Sequence, residues 1–263
     1  MVMWRVSSIP NVVDIAGHDA RLETEEPAVT VTTTSLTRAA GISAAAAGTI
    51  FIGVQIGHPP LDLTSITTTD VFIRDLLKVL MAALAVAGIT GMYLSQVRRN
   101  GLLGLIGYLV LSAGYLLIMS TTSIAAFVLP AIAGTSPGFV TDVIALSTGR
   151  GTMTGDIGAL GTLWQVQGIL YLAGGVLFGI ALFRARVLAR WATVLLTVGG
   201  LVSAALSMMP DAFYRLLAYP NGIAMIGLGV SLWMSQRTAS SVETSASPAA
   251  VPAPARVDPS ALR

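Results

Sequence analysis

The sequence predicts an all-α protein, a polytopic membrane helix bundle with six transmembrane helices and both termini cytoplasmic. Three observations lead to this prediction. The chain of 263 residues is 54% hydrophobic and 11% charged, whereas soluble domains contain roughly 25% charged residues. Six segments without acidic, basic or histidine residues are long enough to cross a bilayer as helices, which takes about 20 residues. Arginines are concentrated in alternate connecting loops.

The six predicted helices follow one another along a single transmembrane domain, 39–236. The number of helices depends on the uncharged segment 100–141, which is long enough for two. The sequence PAIAGTSPG, which begins at Pro130, is typical of a loop, so we predict one helix in that segment. The predicted helices cover about 39–57, 76–97, 101–130, 160–183, 190–210 and 213–236.

Charge placement predicts the orientation of these helices. With six spans, the basic clusters at 98–99 and 184–190 lie on one side, together with Arg38 and Arg237. The opposite loops contain fewer clustered basic residues, together with several aspartates. Lys and Arg residues that flank spans mark the cytoplasmic side. The frequent arginine, alanine and glycine residues are typical of a GC-rich bacterial genome. We therefore expect a multi-pass protein of the bacterial plasma membrane.

The two ends of the chain lack the composition of a folded domain. Residues 1–38 are predicted to be a cytoplasmic, largely irregular tail, and the stretch VTVTTTSLT before the first helix is interpreted as a tether. Acidic residues interrupt the first twenty-five positions, which is wrong for a signal peptide. Residues 237–263 are rich in Ser, Ala and Pro, so they bury too little apolar surface to fold and are predicted to be a disordered cytoplasmic tail.

Small residues on several predicted helices favour close packing of their backbones. The first helix ends in the GxxxG pair Gly53 and Gly57, and the fourth contains Gly175 and Gly179. In lipid, helices associate mainly where small residues let backbones approach. We predict a compact bundle, and the same faces would also serve a homo-oligomer. The other small residues on these faces are Ala40, Ala44 and Gly48 in the first helix and Gly101, Gly104, Gly107 and Gly114 in the third.

The candidate functional residues lie at the predicted outer ends of the helices. His58 directly precedes Pro59 and Pro60, and a double proline ends a helix. A structural role at this boundary is the first interpretation of His58, and metal or proton chemistry is the alternative. Asp75 begins the second helix, one turn before Lys78, and i, i+3 pairs of this kind stabilise a helix end.

Two further residues complete a candidate outer polar cluster of His58, Asp75, Asp156 and Asn221. Asp156 precedes the fourth helix, where a carboxylate complements the helix dipole. Asn221 belongs to the sequence YPNG, 219–222, which is predicted to break the sixth helix in its outer half. Such a break is either an ordinary kink or part of a solute cavity. If the four residues converge, they would line an outward-facing vestibule.

No catalytic residue, metal ligand set or cofactor site is predicted. The sequence GRGTMTG, 149–155, lacks the lysine of a phosphate-binding loop, and the preceding VTDVIALS is expected to form a short helix. The small net charge of +2 does not indicate a nucleic-acid partner, so the expected partners are the lipid bilayer and a second copy of the chain.

Several stretches resemble uncharacterised multi-spanning membrane proteins of actinobacteria, a family with no established activity. They are VQIGHPPLD through LKVLMAALAVAGITGMYL, TGDIG and FGIALFRARVLARWA. The resemblance implies a polytopic plasma-membrane protein and no site residue. Our first functional hypothesis is a non-enzymatic membrane component. The alternatives are a small-solute permease that uses the helix-six break, supported by a weak internal similarity at an offset of 86 residues, and a membrane enzyme with an outward-facing polar site.

Overall fold

The computed structural model of the chain describes residues 32–207, 216 and 218–245. This part of the protein is all-helical, and no strand occurs in it. A 3₁₀ turn, Ser65–Thr67, precedes the second helix, and a π-helical turn, Ile124–Val128, joins the third helix to the fourth. The α-helices are α1 (Thr33–Gly53), α2 (Thr69–Leu94), α3 (Val97–Ser123), α4 (Leu129–Ile132), α5 (Pro137–Thr148), α6 (Ala159–Ala185), α7 (Arg190–Ser207) and α8 (Ala218–Ser245).

Four helices in the described ranges are long and apolar enough to cross a membrane: Thr33–Gly53, Thr69–Leu94, Val97–Ile132 and Ala159–Ala185. A shorter apolar stretch, Arg190–Val202, lies in α7. Large apolar side chains cover the outside of these helices, with Leu102 72% exposed and Ile169 65% exposed. Apolar surface of this extent is expected against lipid. The predicted α-helical membrane class is confirmed by these four helices.

The six long helices form a closed ring in which consecutive helices are neighbours. The order around the ring is α1, α2, α3, α6, α7 and α8, and α8 packs against α1. Its interior is filled by large side chains that are fully buried, among them Phe178, Ile89 and Leu111. A second apolar cluster lies where α5 covers one end of the bundle. It consists of Ile66, Leu129, Val140, Val143, Ile144 and Ile157.

The first helix begins earlier than predicted. Thr32 Oγ1 accepts a hydrogen bond from Ser35 N at 3.1 Å, and Ser35 Oγ accepts one from Thr32 N at 3.0 Å. This reciprocal capping box satisfies two backbone donors at a helix start. Residues 33–38, which were predicted to belong to the irregular tail, therefore form the first turns of α1. The helix also ends earlier, at Gly53. Residues 1–31 lie outside the described ranges.

The third predicted span is continuous in the structure, although it is not a regular helix throughout. Gly101 has φ 58° and ψ −162°, a conformation that strongly favours glycine, so α3 is kinked one turn after its start. The helix then continues through the π-helical turn to Ile132. The short helix expected at VTDVIALS is present as α5, which ends at Gly149 in the left-handed conformation, with φ 67°.

Glycines bring the backbones of neighbouring helices together, but they are not all the predicted ones. A Cβ atom added at Gly107 would lie 2.5 Å from Phe178 N, and one added at Gly114 would lie 2.8 Å from Tyr171 N. The space around Gly53 and Gly57 is open within 4 Å. The GxxxG pair at 53 and 57 therefore does not pack helices in the monomer, because it lies where α1 ends.

The last helix differs most from its prediction. Residues 213–215 and 217 of the predicted range 213–236 are not described, and α8 begins at Ala218. Tyr219 and Pro220 lie in its first turn, where a proline removes no intrahelical hydrogen bond. The YPNG sequence therefore lies in the first turn of α8, and the break predicted there within a longer helix stays a prediction. The helix continues to Ser245, nine residues into the predicted disordered tail, since no proline occurs before Pro248. Residues 246–263 lie outside the described ranges.

Candidate functional site

His58 lies in the connection between α1 and α2, and its imidazole points into the protein. The residue is only 8% exposed. Its Nδ1–H donates to the carbonyl oxygen of Pro59 at 2.8 Å, and its Nε2 lies 3.3 Å from Lys78 Nζ. A carbonyl only accepts and an ammonium only donates. These two partners therefore assign the neutral imidazole with its proton on Nδ1.

Lys78 connects His58 to a buried carboxylate. Its Nζ donates to Asp75 Oδ1 at 2.8 Å, which forms the i, i+3 pair expected on the first turns of α2. Asp75 is 5% exposed, and the Lys78 side chain is 21% exposed. A buried carboxylate requires a charged partner, so this ammonium is held between Asp75 and the Nε2 lone pair of His58.

Arg74 fixes the end of α1 against the start of α2. Its Nη1 donates to the carbonyl oxygens of Val54 and Ile56, each at 2.9 Å, and its Nε donates to the Asp70 carboxylate. The last carbonyls of a helix lack intrahelical donors, and the guanidinium supplies them. Arg74 thereby positions the turn that carries His58.

Asp62 organises the chain after the two prolines. Its Oδ1 accepts from Ser65 N at 2.7 Å and from Thr64 N at 2.9 Å, which starts the 3₁₀ turn before α2. The backbone hydrogen bond from Ser65 is the main reason why the pKa of Asp62 lies below its ordinary value of 3.8, and partial desolvation opposes this shift. The carboxylate therefore stays ionised and keeps the turn closed at neutral pH.

His58, Asp75 and Lys78 open onto a cavity of about 750 Å³, which we call the His58 cavity. It lies between the α1–α2 connection, α2, the end of α3, α5 and the start of α6. Its charged and amide-bearing lining residues are Gln55, His58, Asp75, Lys78, Arg150 and Gln167. Its apolar lining includes Leu61, Ile66, Leu129, Ile144 and Trp164. A pocket of this size with a few convergent polar groups is typical of a small-molecule site.

A hydrogen bond between two spanning helices forms one wall of the cavity. Thr121 Oγ1 in α3 donates to Gln167 Oε1 in α6 at 2.6 Å, and Thr121 is 2% exposed. Neither residue belonged to the predicted polar cluster. A cluster of hydroxyl residues, TTS at 121–123, in an otherwise apolar helix is the signal that would have found Thr121.

Asp142 places the loop that carries Arg150 at the edge of the cavity. The carboxylate is 3% exposed, and it accepts from Thr154 N and Gly155 N, each at 2.8 Å. These bonds fold the glycine-rich loop after α5 back onto that helix. The GRGTMTG loop thus donates two of its backbone N–H groups to the Asp142 carboxylate.

The structure brings two of the four predicted cluster residues together and leaves the other two apart. His58 and Asp75 both line the cavity, whereas Asp156 and Asn221 are not among its lining residues. Asp156 is exposed, and its Oδ1 accepts from Gly158 N at 2.7 Å, so it caps a turn. Asn221 is 3% exposed in the first turn of α8, and it packs so closely against α7 that a Cβ at Gly199 would lie 2.5 Å from its Oδ1.

Among the described residues, no group of three or more His, Cys, Asp or Glu side chains is arranged to hold a metal ion. His18, the other histidine, lies outside those residues. The chain matches no family model, no curated protein and no solved structure.

Proposed function

We propose that the protein is a six-span protein of the bacterial plasma membrane with both termini in the cytoplasm, and that it acts as a non-enzymatic binding component. Four described helices have the length and apolarity of spans. The assignment of α7 and α8 as the other two is supported by their places in the closed ring, between α6 and α1. In this topology the His58 cavity opens to the outside of the cell.

The ligand we propose for the cavity is a small molecule with one anionic group and an apolar part. Lys78 and Arg150 are cationic and Asp75 is anionic, and all three line the cavity together with neutral His58, so its lining has an excess of one positive charge. Leu61, Leu129, Trp164 and their apolar neighbours supply the surface for the rest of the ligand. The cavity with this charge and lining is the observation that carries the proposal.

The two alternative hypotheses find less support. Both nitrogens of His58 have partners, Pro59 O and Lys78 Nζ, so the imidazole is not poised as the general base of an enzyme. A permease that uses a break in the last helix is less supported, because Asn221 does not line the cavity.

Ligand binding is tested with three probes that share an apolar chain and differ in charge: hexanoate, hexanol and hexylamine. We expect hexanoate to raise the unfolding temperature of the full chain in phosphatidylcholine nanodiscs more than the other two. Arg150→Gln is expected to abolish that difference, and Arg184→Gln, which removes the same charge far from the cavity, to preserve it. Equal shifts from all three probes in the wild type would refute the proposed ligand class.

The topology is tested by cysteine labelling, since the chain contains no cysteine. Single substitutions Thr148→Cys at the cavity and Ser95→Cys at the α2–α3 turn are exposed to a membrane-impermeant maleimide in intact cells. We expect Thr148→Cys to be labelled, and Ser95→Cys to be labelled only after lysis. Labelling of Ser95→Cys in intact cells would overturn the orientation.

A further inference from the structure

Gln96, between α2 and α3, has a buried side chain that carries an unsatisfied amide. The residue is 4% exposed, and neither its Nε2 nor its Oε1 has a hydrogen-bond partner in the described part of the chain. Its backbone is satisfied, since the carbonyl oxygen accepts from Arg99 N at 2.9 Å and from Asn100 N at 3.0 Å. A buried amide without partners costs free energy. A ligand group that accepts a hydrogen bond from Nε2 and donates one to Oε1 would remove this cost.

Gln96 lines a second cavity of about 480 Å³ at the opposite end of α2 from His58. The α2–α3 turn supplies most of the lining, with Ser95, Arg98 and Arg99 beside the amide, and Val187 from the α6–α7 connection closes it. Both arginines are exposed, and no ion pair joins either guanidinium to a carboxylate of the described residues. Within the described ranges, two positive charges without an ion pair therefore lie next to an unsatisfied amide.

Apolar side chains at the same turn indicate that the ligand has an apolar part. Leu94 and Val97 also line the cavity, and they are 63% and 45% exposed. The turn joins two helices that are each long and apolar enough to cross a membrane, so it lies at the depth of lipid headgroups. Basic pockets between spanning helices at this depth suit anionic lipid headgroups.

We propose that the α2–α3 turn binds an anionic phospholipid whose headgroup carries hydroxyl groups, such as phosphatidylglycerol. Arg98 and Arg99 bind the phosphate, and Gln96 Nε2 donates to one of its oxygens. A headgroup hydroxyl donates to Gln96 Oε1, which a phosphate without hydroxyls cannot do. Leu94 and Val97 contact the glycerol backbone and the first part of the acyl chains. Inorganic phosphate, which carries a hydroxyl at neutral pH, could make these polar contacts, but it has no glycerol backbone or acyl chain for Leu94 and Val97 to contact.

The site is tested with the full chain in nanodiscs of phosphatidylcholine that contain increasing fractions of phosphatidylglycerol. The readouts are the number of phosphatidylglycerol molecules retained in native mass spectrometry and the unfolding temperature. In Gln96→Leu we expect the apparent Kd for phosphatidylglycerol to rise at least about 10-fold, because the variant loses the hydrogen bond to the charged phosphate and the one from the headgroup hydroxyl. Without phosphatidylglycerol, this variant should be at least as stable as the wild type, because it removes an unsatisfied buried amide.

Two matched controls separate the site from general charge and amide effects. Gln165→Leu makes the same change at an exposed position of α6, and Arg184→Gln removes a charge from the same end of the bundle outside the cavity. Neither should change the apparent Kd by more than about 2-fold, since exposed charges are screened. If Gln96→Leu does not fold, the exposed pair Arg98→Gln and Arg99→Gln tests the site instead, and it should abolish preferential retention of phosphatidylglycerol.

Three results would overturn the proposal. One is wild-type affinity for phosphatidylglycerol in Gln96→Leu or, where that variant does not fold, in the double arginine variant. Another is equal retention of phosphatidylcholine and phosphatidylglycerol by the wild type. The third is an equal stabilisation by inorganic phosphate in discs of phosphatidylcholine alone, which would assign the site to a soluble anion.

Discussion

Replacing Gly174 by alanine tests the close contact between α3 and α6, on which the shape of the bundle depends. A Cβ atom at Gly174 would lie 2.5 Å from Leu111 Cα and 2.8 Å from Leu111 Cβ, and it would also meet Leu111 N. Most of these obstructing atoms belong to the backbone, so no side-chain rotation relieves the contact. We expect Gly174→Ala to force the two helices apart.

The magnitude follows from the size of the required movement. An ordinary contact of a Cβ atom begins at 3.4 Å, so the helices must separate locally by about 1 Å. A gap of 0.5–1 Å forfeits about a quarter to a half of each dispersion contact along an interface, and added atoms in a packed interior cost about 1–3 kcal/mol. Because backbone is obstructed, we expect a loss at the upper end, about 2–3 kcal/mol.

Gly175, the next residue, provides a matched control. A Cβ atom there would meet only Leu196 O, at 3.9 Å, which is an ordinary contact. Gly175→Ala should therefore be neutral or stabilising by about 0.5–1 kcal/mol, the usual gain when alanine replaces glycine within a helix. The assay is reversible unfolding of both variants by SDS in mixed micelles, followed by circular dichroism.

The two variants should differ by about 2–3 kcal/mol, the overpacking cost, because the gain from alanine is common to both and cancels. If Gly174→Ala is as stable as Gly175→Ala, then α3 and α6 do not approach as described, and the reasoning about glycine contacts in this bundle is wrong.

Two further predictions concern the charged groups near the His58 cavity. Lys78→Met should destabilise the protein by about 2–3 kcal/mol, which is less than the 3–5 kcal/mol typical of a broken buried pair because the lysine is partly exposed. Adding Asp75→Asn to this variant should recover part of the lost stability. Chemical unfolding of the single and double variants measures both effects. Asp142→Asn weakens the two backbone hydrogen bonds that hold the following loop, so tryptic cleavage after Arg150 should accelerate about 10-fold. Asp156→Asn should leave that rate unchanged, and equal acceleration by both variants would count against the anchoring role of Asp142.

Residues that act through local rules were predictable from the sequence. The double proline at 59–60 follows the end of α1, and the pair Asp75 and Lys78 forms on one helical turn. The described part of the chain contains four helices long and apolar enough to span a membrane. The start of α1 was misjudged, because a run of threonines is equally typical of a tether until a cap is identified. Only the hydrogen bonds of Thr32 show that it caps a helix.

The sequence by itself determined that this chain is helical and suited to a membrane, because transfer into lipid depends on composition summed over about 20 neighbouring residues. The tertiary structure alone decided which polar groups meet. Thr121 bonds to Gln167, 46 positions away, and Lys78 reaches His58 across 20 positions, whereas Asp156 and Asn221 lie elsewhere. Such contacts depend on how each helix is rotated about its axis when it packs against its neighbours. In this bundle the side chains between the helices set that rotation. No local sequence pattern specifies it.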